Sequence, residues 1–167
     1  MTDSVMKRGV MLFFELIQVS VDSSYSLTKV PSVQDWQLLY NLAEKQALLG
    51  VCFYGIKKLP LEQTVNLPLK LKMQWLGMAV MIEKRNRLMN ERCHELSSRL
   101  SALGFNSCIL KGQGLAAIYN QIDDTNSLGV LRQSGDIDVW VEGGFFHYRS
   151  WQRNFTNLLR LQNSIQI

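Results

Sequence analysis

The sequence predicts an α+β protein, a helical N-terminal half followed by a small, partial sheet. Three observations predict it. Up to residue 103 the apolar residues recur at the three-and-four spacing of helices. At Gly104 that period stops. Beyond it, Phe105 to Leu110 reads as a strand, and so does Asp136 to Val141, where Asp136 and Asp138 alternate with Ile137 and Val139. The expected division is therefore a helical region over 1–103 and a partial core with a basic tail over 104–167.

The elements follow in order. Met6, Val10, Phe13, Phe14 and Ile17 share one face of a first helix over residues 4–20. A serine-rich stretch, Val21 to Pro31, is a loop. Ser32 then caps a second helix, with Asp35 in its first turn and Trp36, Leu39, Tyr40, Ala43 and Ala47 as its buried stripe. Gly50 is expected to end or bend that helix, and Val51 to Leu59 forms another short one. Pro60 and Pro68 bracket a polar link. From Leu69 to Leu103 the positions Leu71, Trp75, Met78, Ile82, Met89, Cys93, Leu96, Leu100 and Leu103 mark one long helix, with Gly104 placed as its C-terminal cap. Arg85, Arg87 and Arg92 lie along it, either as a solvated face or as groups reaching toward bound phosphate. A short helix is expected from Leu115 to Tyr119, a polar loop from Gln121 to Gly129 carrying Asp123 and Asp124, and a last helix from Phe146 to Leu161.

Composition narrows the function classes. With 47% hydrophobic and 19% charged residues in 167, the chain is globular rather than disordered. A net charge of +4 suits an anionic ligand or an ordinary mildly basic surface, and falls well short of a DNA-coating one. Cys52, Cys93 and Cys108 are odd in number and widely spaced, which indicates neither a disulfide framework nor a zinc site. Each is expected to pack as a small apolar residue in a reducing cytoplasm. His94 lacks partners at metal-ligand spacing and reads as surface or packing. Lys7 and Arg8 precede an apolar run, but Glu15 and Gln18 interrupt it and no small-x-small site follows, so an amphipathic helix is expected over an export signal. No segment has the apolar length of a membrane span.

The chemistry is concentrated between Cys108 and Val141. A strand breaks at Lys111-Gly112-Gln113-Gly114 and passes into a helix. A residue without Cβ lets backbone approach a phosphate closely, and a helix start offers unpaired N–H groups; the alternative is a plain strand-helix turn. Downstream, Asp136 and Asp138 on a strand would point the same way, with Cα atoms roughly 7 Å apart. Such a pair can hold a divalent cation, and hard oxygen ligands favour Mg²⁺ or Mn²⁺ over zinc. Lys111 offers a point charge for a phosphate or an exposed strand end; Arg132 offers a planar fork or an ordinary loop cation.

Leu110-Lys111-Gly112, followed by Arg132-x-x-Gly135-Asp136-Ile137-Asp138 behind a helical half, resembles the uncharacterised bacterial nucleotidyltransferase family, within the superfamily that has the polymerase-beta type palm. The resemblance is sharpest over residues 105–142. It implies that the partial sheet is a nucleotidyltransferase palm, shortened here. It further implies that Asp136 and Asp138 are the catalytic residues and the ligands of Mg²⁺ (or Mn²⁺), and that Lys111, Gly112, Gln113, Arg132 and Gly135 bind the nucleotide. The implied substrate is an NTP, ATP in the first place. Its NMP would go to a hydroxyl of an unknown acceptor, a small molecule, protein or RNA. Lys111-Gly112 stands where the wider superfamily has Gly-Ser or Gly-Gly.

One departure stands out. The superfamily uses a third carboxylate on a later strand, and no Asp or Glu follows Glu142 in this sequence. Glu142 itself lies too close to Asp138 for that role. A shortened member, an N-terminal fragment and a chain with an altered end all fit this pattern. The expectation is therefore an enzyme at the family level whose chain alone binds Mg-NTP better than it turns it over. The alternative is a non-catalytic or truncated nucleotide-binding or interaction module.

Overall fold

The computed structural model describes residues 3–122, 128–133 and 135–142. The helical half comprises α1 (Asp3–Val21), α2 (Val33–Lys45), α3 (Leu49–Lys58), a single turn α4 (Leu61–Thr64) and the long α5 (Leu69–Ala102). Then come β1 (Ser107–Leu110), α6 (Lys111–Ile122), a short α7 (Leu128–Leu131) and β2 (Asp138–Val141). The expected helix over 146–161 and the pair Asp123 and Asp124 lie outside the described residues.

Local chemistry sets the helix ends. The Ser32 hydroxyl accepts from the Asp35 amide at 3.2 Å while the Asp35 carboxylate accepts from the Ser32 amide at 2.8 Å, a reciprocal capping box. Arg8 of α1 reaches the same carboxylate at 2.8 Å and ties α1 to the start of α2. At the far end of α5, Gly104 takes φ +80°, a left-handed conformation that costs a residue without Cβ little. Phe105 N–H then donates to the Leu100 carbonyl and Gly104 N–H to that of Ser101, the paired bonds of a Schellman cap.

Gly50 behaves otherwise than the sequence suggests. Helix α2 ends earlier, at Lys45, where Ala47 takes φ +57°. Gly50 lies inside α3, and a Cβ there would run into the Leu131 carbonyl. Its missing side chain serves the close packing of α3 against α7.

The core sits between α1, α2, α3 and the N-terminal half of α5, around Leu12, Leu16, Trp36, Leu39, Cys52 and Trp75. Trp75 is fully buried, donates its indole N–H to the Leu49 carbonyl at 2.9 Å, and meets Tyr40 edge-on with centroids 5.2 Å apart. A smaller cluster, Val51, Tyr54 and Leu128, joins α3 to α7. The expected stripe on α5 is largely buried or half-buried, but Leu103 is exposed because it is the cap residue, and Ala79 and Asn86 are buried instead.

Both expected strands lie in one sheet, and β1 packs against α5. Their pairing is antiparallel, not the parallel pairing that a strand-helix-strand crossover also permits. The reason is that the connection runs through two helices, α6 and α7, with α7 seated against α3 and α5, and the chain re-enters the sheet at the end where it left, Asp138 opposite Leu110. Both strands are also shorter than expected, with Phe105 and Asp136 outside the ladder. Residues 128 and 129 open α7 rather than closing a polar loop, and α6 runs past Tyr119 to Ile122.

Candidate functional site

The turn after β1 is built on two adjacent backbone departures. Lys111 adopts φ +47°, which non-glycine residues rarely do. Gly112 follows at φ 13° and ψ −102°, outside the helical region, and α6 becomes regular only beyond it. Gly114 acts differently. A Cβ there would collide with the Ile109 carbonyl, so α6 approaches β1 more closely than any other residue permits. The pair of glycines thus folds the helix start back over the strand that precedes it.

The register brings the second motif to this turn. Leu110 pairs with Asp138, so the last residue of β1 lies opposite the first of β2. Lys111, next in the chain, places its Nζ 3.4 Å from Asp138 Oδ2. Both side chains are partly open to solvent, and such a pair contributes little to stability, about 0–1 kcal/mol. Asp136 is exposed and stands two residues ahead of the ladder, beside Gly135. At the other end of the sheet, the Glu142 carboxylate accepts from the Asn106 amide group at 2.6 Å, while the Glu142 backbone N–H donates to the Asn106 carbonyl at 2.8 Å. Glu142 therefore closes the ladder four residues from Asp138.

Helix α5 supplies a third wall, through Asn86 and Asn90, which sequence reasoning did not find. Asn86, 1% exposed, donates through Nδ2 to the carbonyls of Val130 and Arg132, each at 2.6 Å. Gln113 turns its Nε2 to the Asn86 carbonyl at 3.2 Å and to Asn90 Oδ1 at 2.5 Å. Arg85 reaches the Gly135 carbonyl at 3.4 Å, whereas Arg87 pairs with Glu83 and Arg92 with Glu95. One signal for Asn86 was present in the sequence: it lies four residues after Ile82 and seven before Cys93, a polar residue on the apolar stripe of a helix.

The residues of Leu-Lys-Gly and Gly-Asp-Ile-Asp, distant in the chain, thus share one corner of the fold. A family model described as an uncharacterised nucleotidyltransferase matches residues 32–144. The chain belongs to this family. No curated protein and no solved structure matches it. The nucleotidyltransferase match spans α2 to β2 and so takes in both motifs as well as the α5 wall. A nucleotide is the partner that the family implies.

Of the expected nucleotidyltransferase residues, the structure brings Lys111, Gly112 and Asp138 together at the end of the two strands. Gln113 is turned toward α5. Arg132 is half-buried with its carbonyl held by Asn86, and Gly135 is exposed with its carbonyl near Arg85. His94 is exposed beside Ser98, as its isolation in the sequence suggests. Cys108 is exposed, not packed: on a four-residue strand with one covered face, every second side chain is left outside. The open groove lined by Cys93, His94, Ser97, Ser98 and Ile109 lies along α5 and β1 and includes none of Lys111, Asp136 or Asp138.

Carboxylates are the ligand type that a hard divalent ion takes. Asp136 and Asp138 are accessible carboxylates, and a cation, the Lys111 ammonium, already stands against Asp138. Among the described residues no group of three or more His, Cys, Asp and Glu is gathered for a metal. Two carboxylates with water and phosphate oxygens completing the shell is the coordination Mg²⁺ commonly takes, whereas zinc sites draw on nitrogen and sulfur.

Proposed function

We propose that this nucleotidyltransferase family member binds an NTP, ATP in the first place, with Mg²⁺ (or Mn²⁺) at Asp136 and Asp138, and directs its NMP to a hydroxyl acceptor. The observation that supports this most is the juxtaposition of Lys111 and Asp138, 3.4 Å apart, at the mouth of the Gly112 turn. A triphosphate at that turn would meet a lysine ammonium, helix-start amides and a carboxylate-held cation within one side-chain length. A bound Mg²⁺ would supply charge neutralisation and orientation for in-line displacement at the α-phosphorus.

The chain's own residues do the rest. Asp136 and Asp138 would hold the ion through accessible oxygens. Lys111, 3.4 Å from Asp138, would offer its ammonium to the β- or γ-phosphate. Gly112 and the α6 N-terminus accept the phosphate's close approach. Arg132 and Gly135, on the segment leading to Asp136, form the opposite rim, with Gln113 anchoring the turn. The acceptor is a small molecule, a protein or an RNA.

A second reading, a nucleotide-binding module without turnover, is favoured by one observation: among the described residues no third ligand of the His, Cys, Asp or Glu type is gathered with Asp136 and Asp138. Titrating ATP with and without Mg²⁺ and following pyrophosphate release separates the two. Metal-dependent binding should weaken at least tenfold in Asp136→Asn and in Asp138→Asn, because each removes a ligand charge. Little pyrophosphate release beside tight Mg-ATP binding would favour the binding module over transfer by this chain. Robust release that Asp138→Asn abolishes would discard the binding-module reading, and unchanged Mg-ATP affinity in the double variant would discard the site.

A further inference from the structure

We propose that Asn86 is a positioning residue of the nucleotide site, holding its two motifs in register through the backbone carbonyls ahead of one and the Gln113 side chain of the other; this rests on the nucleotide reading above. The geometry is that of one helical turn gripping two segments. On one side the Asn86 side chain donates to the carbonyls of Val130 and Arg132 at 2.6 Å each. On the other, its backbone carbonyl accepts from Gln113 Nε2 at 3.2 Å, and Asn90, one turn on, accepts from the same nitrogen. Residue 113 follows the Lys111-Gly112 turn, and residue 132 leads into Gly135 and Asp136.

Asparagine suits this position by its chemistry. A short helix such as α7 leaves its last carbonyls without partners in the helix. The Asn86 amide nitrogen carries two hydrogens on one planar group, one for each carbonyl. Aspartate would present only acceptors to those oxygens, leucine neither donor nor acceptor, and serine a single hydrogen. At 1% exposure no bulk water stands ready to replace the lost bonds.

The consequence reaches the chemistry without any contact to substrate. Asp138 is held by the ladder, but Asp136 and Gly135 precede it and take their position from the segment that Asn86 anchors. The Lys111-Gly112 turn takes its position from the strand and from Gln113. An error of about 1 Å between turn and carboxylates is enough to cost on the order of a hundredfold in a site of this kind.

The test uses the full chain, isotope-labelled, free and then titrated with Mg-ATP. Asn86→Ser, which alters the side-chain bonds to Val130 and Arg132 but keeps the backbone carbonyl that Gln113 reaches, should shift the backbone amide resonances from Gly135 to Asp138, while leaving α1 and α2 in place. The same variant should bind Mg-ATP at least tenfold more weakly, at a temperature where circular dichroism shows it folded. Asn90→Ala, at a position reached only by Gln113 among the motif residues, should shift only the Gly112–Gln113 amides and weaken binding about threefold. Wild-type resonances from Gly135 to Asp138 in Asn86→Ser, or unchanged Mg-ATP affinity, would overturn the proposal. Should Asn86→Ser not fold, Asn86→Asp, which loses both donor hydrogens at nearly the same volume, takes its place with the same expected and overturning outcomes. A wild-type chain with no Mg-ATP affinity counts against the nucleotide site itself, and the resonance shifts of the free variants then decide the role of Asn86.

Discussion

At the scale of single residues, the three cysteines show how placement, not type, sets reactivity. Burial in the helical core pushes the Cys52 thiol up to about 12, and burial also raises Cys93, because a thiolate loses its hydration there. At pH 8 the Cys52 thiolate is then roughly one part in ten thousand of that residue. Cys108 is exposed on β1. A thiol reagent at pH 8 should therefore modify Cys108 first and leave Cys52 intact until the fold opens, giving a single mass increment at short times. Rapid modification of Cys52 in folded protein would show that the helical core is not closed as described. Since Cys108 sits two residues before Leu110, Mg-ATP bound at the turn should slow its modification several-fold.

At the scale of elements, the site depends on how closely α6 lies against β1. Gly114 is the residue that permits this, since any Cβ there meets the Ile109 carbonyl backbone. Backbone cannot yield as a flexible side chain can, so Gly114→Ala should displace the start of α6 and carry Lys111 away from Asp138. The expected outcome is a loss of about 1–3 kcal/mol in stability with a drop in Mg-ATP affinity of tenfold or more. Urea unfolding and nucleotide titration on the same preparation check both. Gly135→Ala is the contrast: an added Cβ there meets nothing within 4 Å, so stability should hardly change. Equal effects from the two substitutions would show that close helix-strand packing is not what the turn requires.

For the molecule as a whole, the helical half is the foundation on which the small sheet is placed. A two-stranded sheet alone is marginal in water, and this one gains its support from α5. Helix α5 in turn is rooted in the core by Trp75, which is fully buried and bonded to the Leu49 carbonyl. Trp75→Ala should cost about 3–5 kcal/mol through the cavity it leaves. Trp75→Phe, which keeps most of the apolar volume but loses the indole N–H bond to that carbonyl, should cost less, about 0.5–1.5 kcal/mol for the bond. Denaturant midpoints should fall in that order, and a Trp75→Ala protein as stable as the parent would show that α5 is anchored elsewhere. Among the described residues no helix is long and apolar enough to cross a membrane.

The sequence by itself determined what is local. Helical periods, the Ser32–Asp35 box and the Gly104 cap depend on residues within a turn or two of each other, so α2, α5, the two strand positions and the bounds of α1 were legible directly, whereas the buried face of α1 was not: Met6 and Phe14 are exposed and Leu12, Leu16 and Val19 are buried. The motif residues Lys111, Gly112, Asp136 and Asp138 stood out in the sequence by type, glycine beside a helix start and two carboxylates one residue apart. Tertiary structure alone decided which of them meet. That Leu110 lies opposite Asp138, that the pairing is antiparallel and that Gly50 yields to the Leu131 carbonyl all involve residues far apart in the chain. Asn86 marks the boundary between the two. Its place on an apolar stripe is a local fact, but its two acceptors lie more than forty residues away, at separations of 44 and 46. Local spacing sets the face on which a side chain stands, and only packing of the completed fold sets what stands opposite it.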